Sequence, residues 1–176
     1  MRVVVPYHAA VLHPRVVPAV TAQGYEPHLI EVVNEVGHPD SYPMILARFL
    51  LCGEDVCFIE HDNESRPGFL DDLETCPEPW CFFAYDFGIS YEEAIGEETP
   101  NHAKRNPTSA PLGSHFAPLG HTRFKGGVGD KIAQLLSSDF FLATWVSRDT
   151  LIAEALNEVG LFPHRHRGKC FHHHPY

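Results

Sequence analysis

Long hydrophobic runs are missing from this sequence. No apolar stretch in its 176 residues approaches the roughly 20 residues that a membrane-spanning helix needs. Positive charge is scarce too: 13 Lys and Arg stand against 23 Asp and Glu, a formal net charge of −10. That balance argues against broad attraction to nucleic acid or acidic membranes, which demand a basic face. Positive residues cluster only late, in HAKRNP, HTRFKGG and HRHRGK, where a local anionic ligand has a place to sit. The five cysteines (Cys52, Cys57, Cys76, Cys81 and Cys170) form no Cys-x-x-Cys pair, so they read as reduced, small buried hydrophobes. The opening MRVVVPY is too short for the apolar core of a secretory signal and lacks a small-residue cleavage pattern, so a cytoplasmic location is expected. No G-x-x-x-x-G-K-[ST] loop occurs, which removes P-loop kinases and ATPases.

An apolar share of 44% and a charged share of 20% suit one globular domain over 1–176. RVVVPY reads as a strand, HPRVVPAVTAQG as a helix stopped at Gly24, and PHLIEVV as a second strand. SYPMILARFLLCG then reads as a helix ending at Gly53, and DVCFIEH as a third strand. Strands alternating with helices predict an α/β fold, with a mainly parallel sheet and helices on both faces. Farther on, PGFLDDLETC predicts a short helix and PWCFFAYDFG an aromatic strand. Residues 88–120 are rich in Gly, Pro, Ser and Asn with weak periodicity, which predicts a functional loop or lid. GDKIAQLLSS and RDTLIAEALNEVG are the last helical candidates. The glycines of FKGGVGDK are a weak signal for an anion at a helix start.

Chemistry gathers where the third strand ends, in Glu60-His61-Asp62-Asn63-Glu64. In an open α/β sheet, the loops at the carboxyl ends of the strands line the ligand crevice. Extended alternation puts Glu60 and Asp62 on one side and His61 on the other. Two converging carboxylates repel unless a proton or cation lies between them, and hard divalent ions such as Mg²⁺ or Mn²⁺ take oxygen donors. The plain alternative is a solvated acidic turn that starts the next helix, capped by Asn63 or Ser65.

An apolar strand ending in an acid-x-acid triplet resembles the Asp-x-Asp motif of GT-A glycosyltransferases, of the small family-2-like kind. FIEHDNE is similar to a Glu-His-Asp variant of it. The resemblance implies a Rossmann-like GT-A domain, with 1–87 as the nucleotide-sugar half and 121–176 as the acceptor half with a metal-binding tail. It implies that Asp62 binds Mn²⁺ or Mg²⁺ bridging the diphosphate of a donor, most simply a UDP-sugar, and that Glu60 contacts the ribose or sugar. VVVPYH resembles the family's opening strand and offers Pro6, Tyr7 and His8 to the donor base, while IEVVNEVGH supplies Asn34 and Glu35. LGHTRFKGG resembles the strand and turn that shape the acceptor side, and TWVSRD resembles the region that brings an aromatic residue and a carboxylate to the reacting centre. Asp149 is therefore a candidate base, with Asp86, at the end of the aromatic strand, as its rival. On the bland reading, Trp145 is core and Asp149 a helix cap.

The tail holds five histidines: His164, His166, His172, His173 and His174. Structural zinc would want paired cysteines, and only Cys170 lies nearby in sequence. An exposed, open end is a plainer reading. The resemblance implies that a tail histidine completes the metal shell, His172 first and then His174. Arg165 and Arg167 are candidates to neutralise the diphosphate. Transfer of a sugar to an unidentified acceptor is the expected function, the acceptor being a carbohydrate or small molecule before a modified nucleic acid or a protein. A metal-dependent phosphohydrolase or nucleotidyltransferase on an α/β sheet, or a non-catalytic nucleotide-sugar-binding module, shares the same acids.

Overall fold

A computed structural model describes residues 1–9, 11–87, 119–143 and 147–173, the side chains of 85–87 excepted. Nearly all of the expected 88–120 lid, together with Trp145 and His174, lies outside the described residues. Strand β1 (Arg2–Tyr7) comes first, then α1 (Val16–Thr21), β2 (Pro27–Glu31), α2 (Tyr42–Leu50) and β3 (Val56–Ile59). These are the alternating elements expected from the sequence. A two-residue β4 (Asn63–Glu64), α3 (Phe69–Thr75) and β5 (Trp80–Phe87) follow. After the gap come β6 (His121–Phe124), a 3-10 turn (Gly129–Ile132), α4 (Ala133–Leu136), α5 (Asp139–Ala143), α6 (Arg148–Glu158) and β7 (His164–His172).

The seven strands form one sheet in the order β2-β1-β3-β6-β5-β7-β4. Successive residues of β1 enter opposite cores, because side chains alternate across a strand. Val4 joins a cluster with Ile45, Phe49, Phe58, Phe141 and Ile152, which packs α2, α5 and α6 on one face. Val3 and Val5 join Val16, Val20, Leu70 and Leu73, which packs α1 and α3 on the other. Both faces are covered, so β3, buried at all four positions, is uniformly apolar rather than alternating.

The expected mainly parallel sheet needs correction. β1 runs parallel to β2 and β3, and β5 runs parallel to β7. β6, however, runs antiparallel to both of its neighbours, β3 and β5, and β4 runs antiparallel to β7. The sheet is mixed because β6 enters reversed between the two parallel blocks. All four residues of β6 are buried, including Arg123. The guanidinium of Arg123 donates to the carbonyls of Leu73 (2.9 Å), Cys76 (2.6 Å) and Glu78 (2.9 Å). HTRFKGG is thus no surface basic strip at this residue: a buried cation is held by backbone dipoles.

The tail is a nine-residue strand, not an open end. Its register on β5 shifts between Phe82 and Ala84, and Gly168 turns there with φ near 100°. The glycines of FKGGVGDK also have a packing reason. A side chain at Gly126 would strike the Gly53 carbonyl, and one at Gly129 the Leu50 carbonyl, so these residues let the turn lie against the end of α2. Among the described residues, no helix is long and apolar enough to cross a membrane.

Candidate functional site

β3 stops at Ile59 because the chain turns sharply: the amide of Asn63 donates to the Glu60 carbonyl at 3.0 Å. The extended alternation expected for residues 60–62 is therefore replaced by a turn. The two acids still converge, for a different reason. Asn63 is fully buried, and its side-chain amide donates to Asp62 Oδ1 at 3.1 Å and to Glu60 Oε2 at 3.4 Å. Neither Asn63 nor Ser65 caps the next helix; both are buried, and Gly68 stands at the start of α3. A solvated helix start does not describe this turn.

The other end of the chain closes over it. Asn63 pairs with His172 and Glu64 with Phe171, and the His173 amide donates to the Asp62 carbonyl at 2.8 Å. This ladder brings His172 Nε2 to 3.0 Å from Asp62 Oδ2, both side chains being mostly shielded from solvent. Burial alone would raise the Asp62 carboxyl. The hydrogen bond and charge of His172, with the charge of His61, outweigh it and hold the group below the ordinary aspartate value. Burial depresses His61 against the pull of Asp62, with His8 and His172 adding to the depression. Behind this pair, His173 Nε2 lies 2.7 Å from Glu64 and stacks on His13 at 3.7 Å.

Asp62 and His172 offer a carboxylate oxygen and an imidazole nitrogen that could hold a cation, and their 3.0 Å separation is that of a hydrogen-bonded ion pair.

A cleft of about 410 Å³ is lined by Asn34, Glu35, Ser41, Tyr42 and Arg148, among others, but not by Glu60, Asp62, Asp149 or His172. It forms where β2 ends and where α2 and α6 begin. Pro6 and Tyr7 pair with Ile30 and Glu31 at the adjoining end of β1, and the His8 ring lies 6.4 Å from that of His61. Burial pushes the Tyr42 phenol well up, and the charges of Glu60, Asp149 and Asp62 push it further, so the cleft wall and the acids share one field. Asp149 sits in the first turn of α6. Burial raises its carboxyl above the ordinary value, although the Thr150 amide donates to it at 2.9 Å.

The structure therefore gathers Pro6, Tyr7, His8, Asn34, Glu35, Glu60, Asp62, Asp149 and His172 at one end of the sheet. The backbone of Asp86 pairs with Phe171 at that same end; its side chain and His174 lie outside the described residues. Arg165 and Arg167 are placed elsewhere. Arg165 pairs with Phe82, near the start of β5, whereas His172 pairs with Phe87 at its end. At the usual rise of a strand that is roughly 15–20 Å. The length of β7 carries the two arginines away from the diphosphate position that their phosphate-binding chemistry suggests. Three features escaped the sequence reading: Asn63 as the clamp on both acids, Tyr42 in the cleft wall, and Cys76 beside the tail histidines. Asn63 had a signal, standing directly after the triplet; Cys76, 88 residues from His164, had none.

No family model and no curated protein matches the chain. Among solved structures, A197 from STIV is similar in fold, with a TM-score of 0.50 and 15% identity over 88% of this chain and 77% of that one.

Proposed function

We propose that the chain is a metal-dependent glycosyltransferase of the GT-A type, moving a sugar from a nucleoside-diphosphate sugar to an acceptor hydroxyl. The observation that carries this reading is the 3.0 Å contact between Asp62, just after the third strand, and His172, at the end of the last one. The α/β sheet with its β-α-β opening accords with a Rossmann-like donor half. Asp62 and His172 would hold Mn²⁺ or Mg²⁺, which when bound supplies positive charge for the departing diphosphate.

The residues of the chain divide the remaining tasks. Asn63 fixes the directions of Glu60 and Asp62, and Glu60 contacts the ribose or sugar. Asn34, Glu35 and Tyr42 offer the donor base a partly enclosed wall. Asp149 takes the proton of the acceptor hydroxyl; burial raises its carboxyl, which makes it a stronger base than an ordinary aspartate. Asp86 would share that end of the sheet as the alternative base. A cytoplasmic enzyme using a UDP-sugar is the simplest form of this reading.

The test is release of free nucleotide from a panel of UDP- and GDP-sugars, with and without Mn²⁺. Turnover of one donor that requires Mn²⁺ and disappears in Asp62→Ala supports the proposal. Release of phosphate or pyrophosphate without sugar transfer overturns it in favour of phosphoester chemistry.

A further inference from the structure

β7 carries a second group of donors at its other end. His164 and His166 stand at alternate positions of the strand, and Cys76 closes α3 beside them. One ligand atom from each lies within 4.8 Å of the other two. The Cys76 Sγ to His164 Nδ1 distance is 3.2 Å, and the two imidazole centroids are 4.6 Å apart. We propose that Cys76, His164 and His166 form a metal site for a borderline-soft ion of the zinc class. It stands apart from the Asp62 centre and does not rest on the sugar-transfer reading.

Three features support it. The first is chemistry, because one thiolate with two imidazoles selects Zn²⁺ or Co²⁺ over Mg²⁺ or Mn²⁺. The second is spacing. Ligands of a tetrahedral zinc lie about 3.4–3.6 Å from one another, so the Cys76–His164 pair is nearly in place and no other separation needs to close by more than about 1.4 Å. The third is His166, whose Nε2 is buried and finds no hydrogen-bond partner among the described residues. A thiol–imidazole hydrogen bond alone would account for Cys76 and His164 but leaves that nitrogen unexplained. The scaffold is firm on both sides: the Arg123 guanidinium holds the Cys76 carbonyl at 2.6 Å, and Phe83 stacks on the His166 ring at 4.9 Å. Cys76 is buried and His164 exposed, so an ion has an entry from solvent and the fourth position stays open. On binding, the Cys76 thiol gives its proton to solvent.

The experiment is a Co²⁺ titration of the full chain under reducing conditions, without nucleotide, read by absorption. The native chain should develop a thiolate-to-cobalt charge-transfer band in the near ultraviolet, bleached when Zn²⁺ is added. The band should vanish in Cys76→Ser and persist in Asp62→Ala. His164→Ala, at an exposed position that spares the fold, should weaken cobalt binding on the order of 10-fold or more. That variant decides the matter if Cys76→Ser does not fold. No band in the native chain, an unchanged band in Cys76→Ser, or native affinity in His164→Ala would overturn the site.

Discussion

The two ends of β7 carry the same side chain into different company. At its carboxyl end His172 meets the carboxylate of Asp62, which shares the Asn63 amide with Glu60. At its amino end His164 meets the thiol of Cys76, with His166 beside it. The Gly168 bulge lies between them. Imidazole is a borderline ligand, so its neighbours tip the choice of ion. On the proposed function the oxygen partner serves a metal used with substrate, whereas the sulfur partner at the proposed second site serves a metal that ties α3 to the sheet.

The largest effect that would sharpen this contrast is in the rate. Asp149→Asn should slow sugar transfer by about 10²–10⁴-fold while leaving nucleotide and cobalt binding intact, as measured by steady-state kinetics and titration. The same change should stabilise the fold at neutral pH. Burial raises the native carboxyl, so the unfolded chain gives up that proton first, and stability falls as pH climbs from about 4 through the raised native value. Asp62 has the opposite sign: its depressed carboxyl contributes stability above the ordinary value, and that contribution is lost as pH falls through the native one. Thermal melts across pH should show the acid-side loss reduced in Asp62→Asn.

Next in size is the frame of the sulfur end. Arg123→Met leaves the carbonyls of Leu73, Cys76 and Glu78 without their donor. Urea unfolding should report a loss of roughly 3–5 kcal/mol.

How much of this was legible in the sequence differs between the two ends in a physically sensible way. β1 through β3 announce themselves through local periodicity and through Gly24 and Gly53, and the acids at Glu60 and Asp62 stand where a third strand must end. His172 was legible as a partner only through the resemblance to GT-A enzymes. What stayed hidden depends on distant pairing. The entry of β6 in reverse sets the mixed sheet, and the seating of β7 on β5 carries Arg165 and Arg167 away from the acids. That seating also delivers His164 to a cysteine 88 residues distant. Asn63 was visible, but only the plain alternative gave it a role, as one of two possible helix caps, and its clamp on both acids depends on the turn.

Two smaller effects test the separation of the ends. Asn63→Ala should weaken metal-dependent nucleotide binding about 10–100-fold, since it frees both carboxylates, without altering the cobalt band at Cys76; calorimetry reads the first and absorption the second. Paired Arg165→Ala and Arg167→Ala changes should alter nucleotide affinity by no more than roughly twofold, because exposed charges beyond a Debye length are screened. A tenfold loss there would mean that the arginines do reach the donor.

The most direct measurement is a thermal-shift titration of UDP and GDP, with and without Mn²⁺, on the native chain, Asp62→Ala and His172→Ala. A ligand that binds only the folded state raises its apparent stability, by about 2.7 kcal/mol at a hundred times its Kd. The account predicts a nucleotide-induced rise in Tm that requires Mn²⁺ and is lost in both variants. A native chain that no nucleotide shifts, or a shift that survives in both variants, would contradict it.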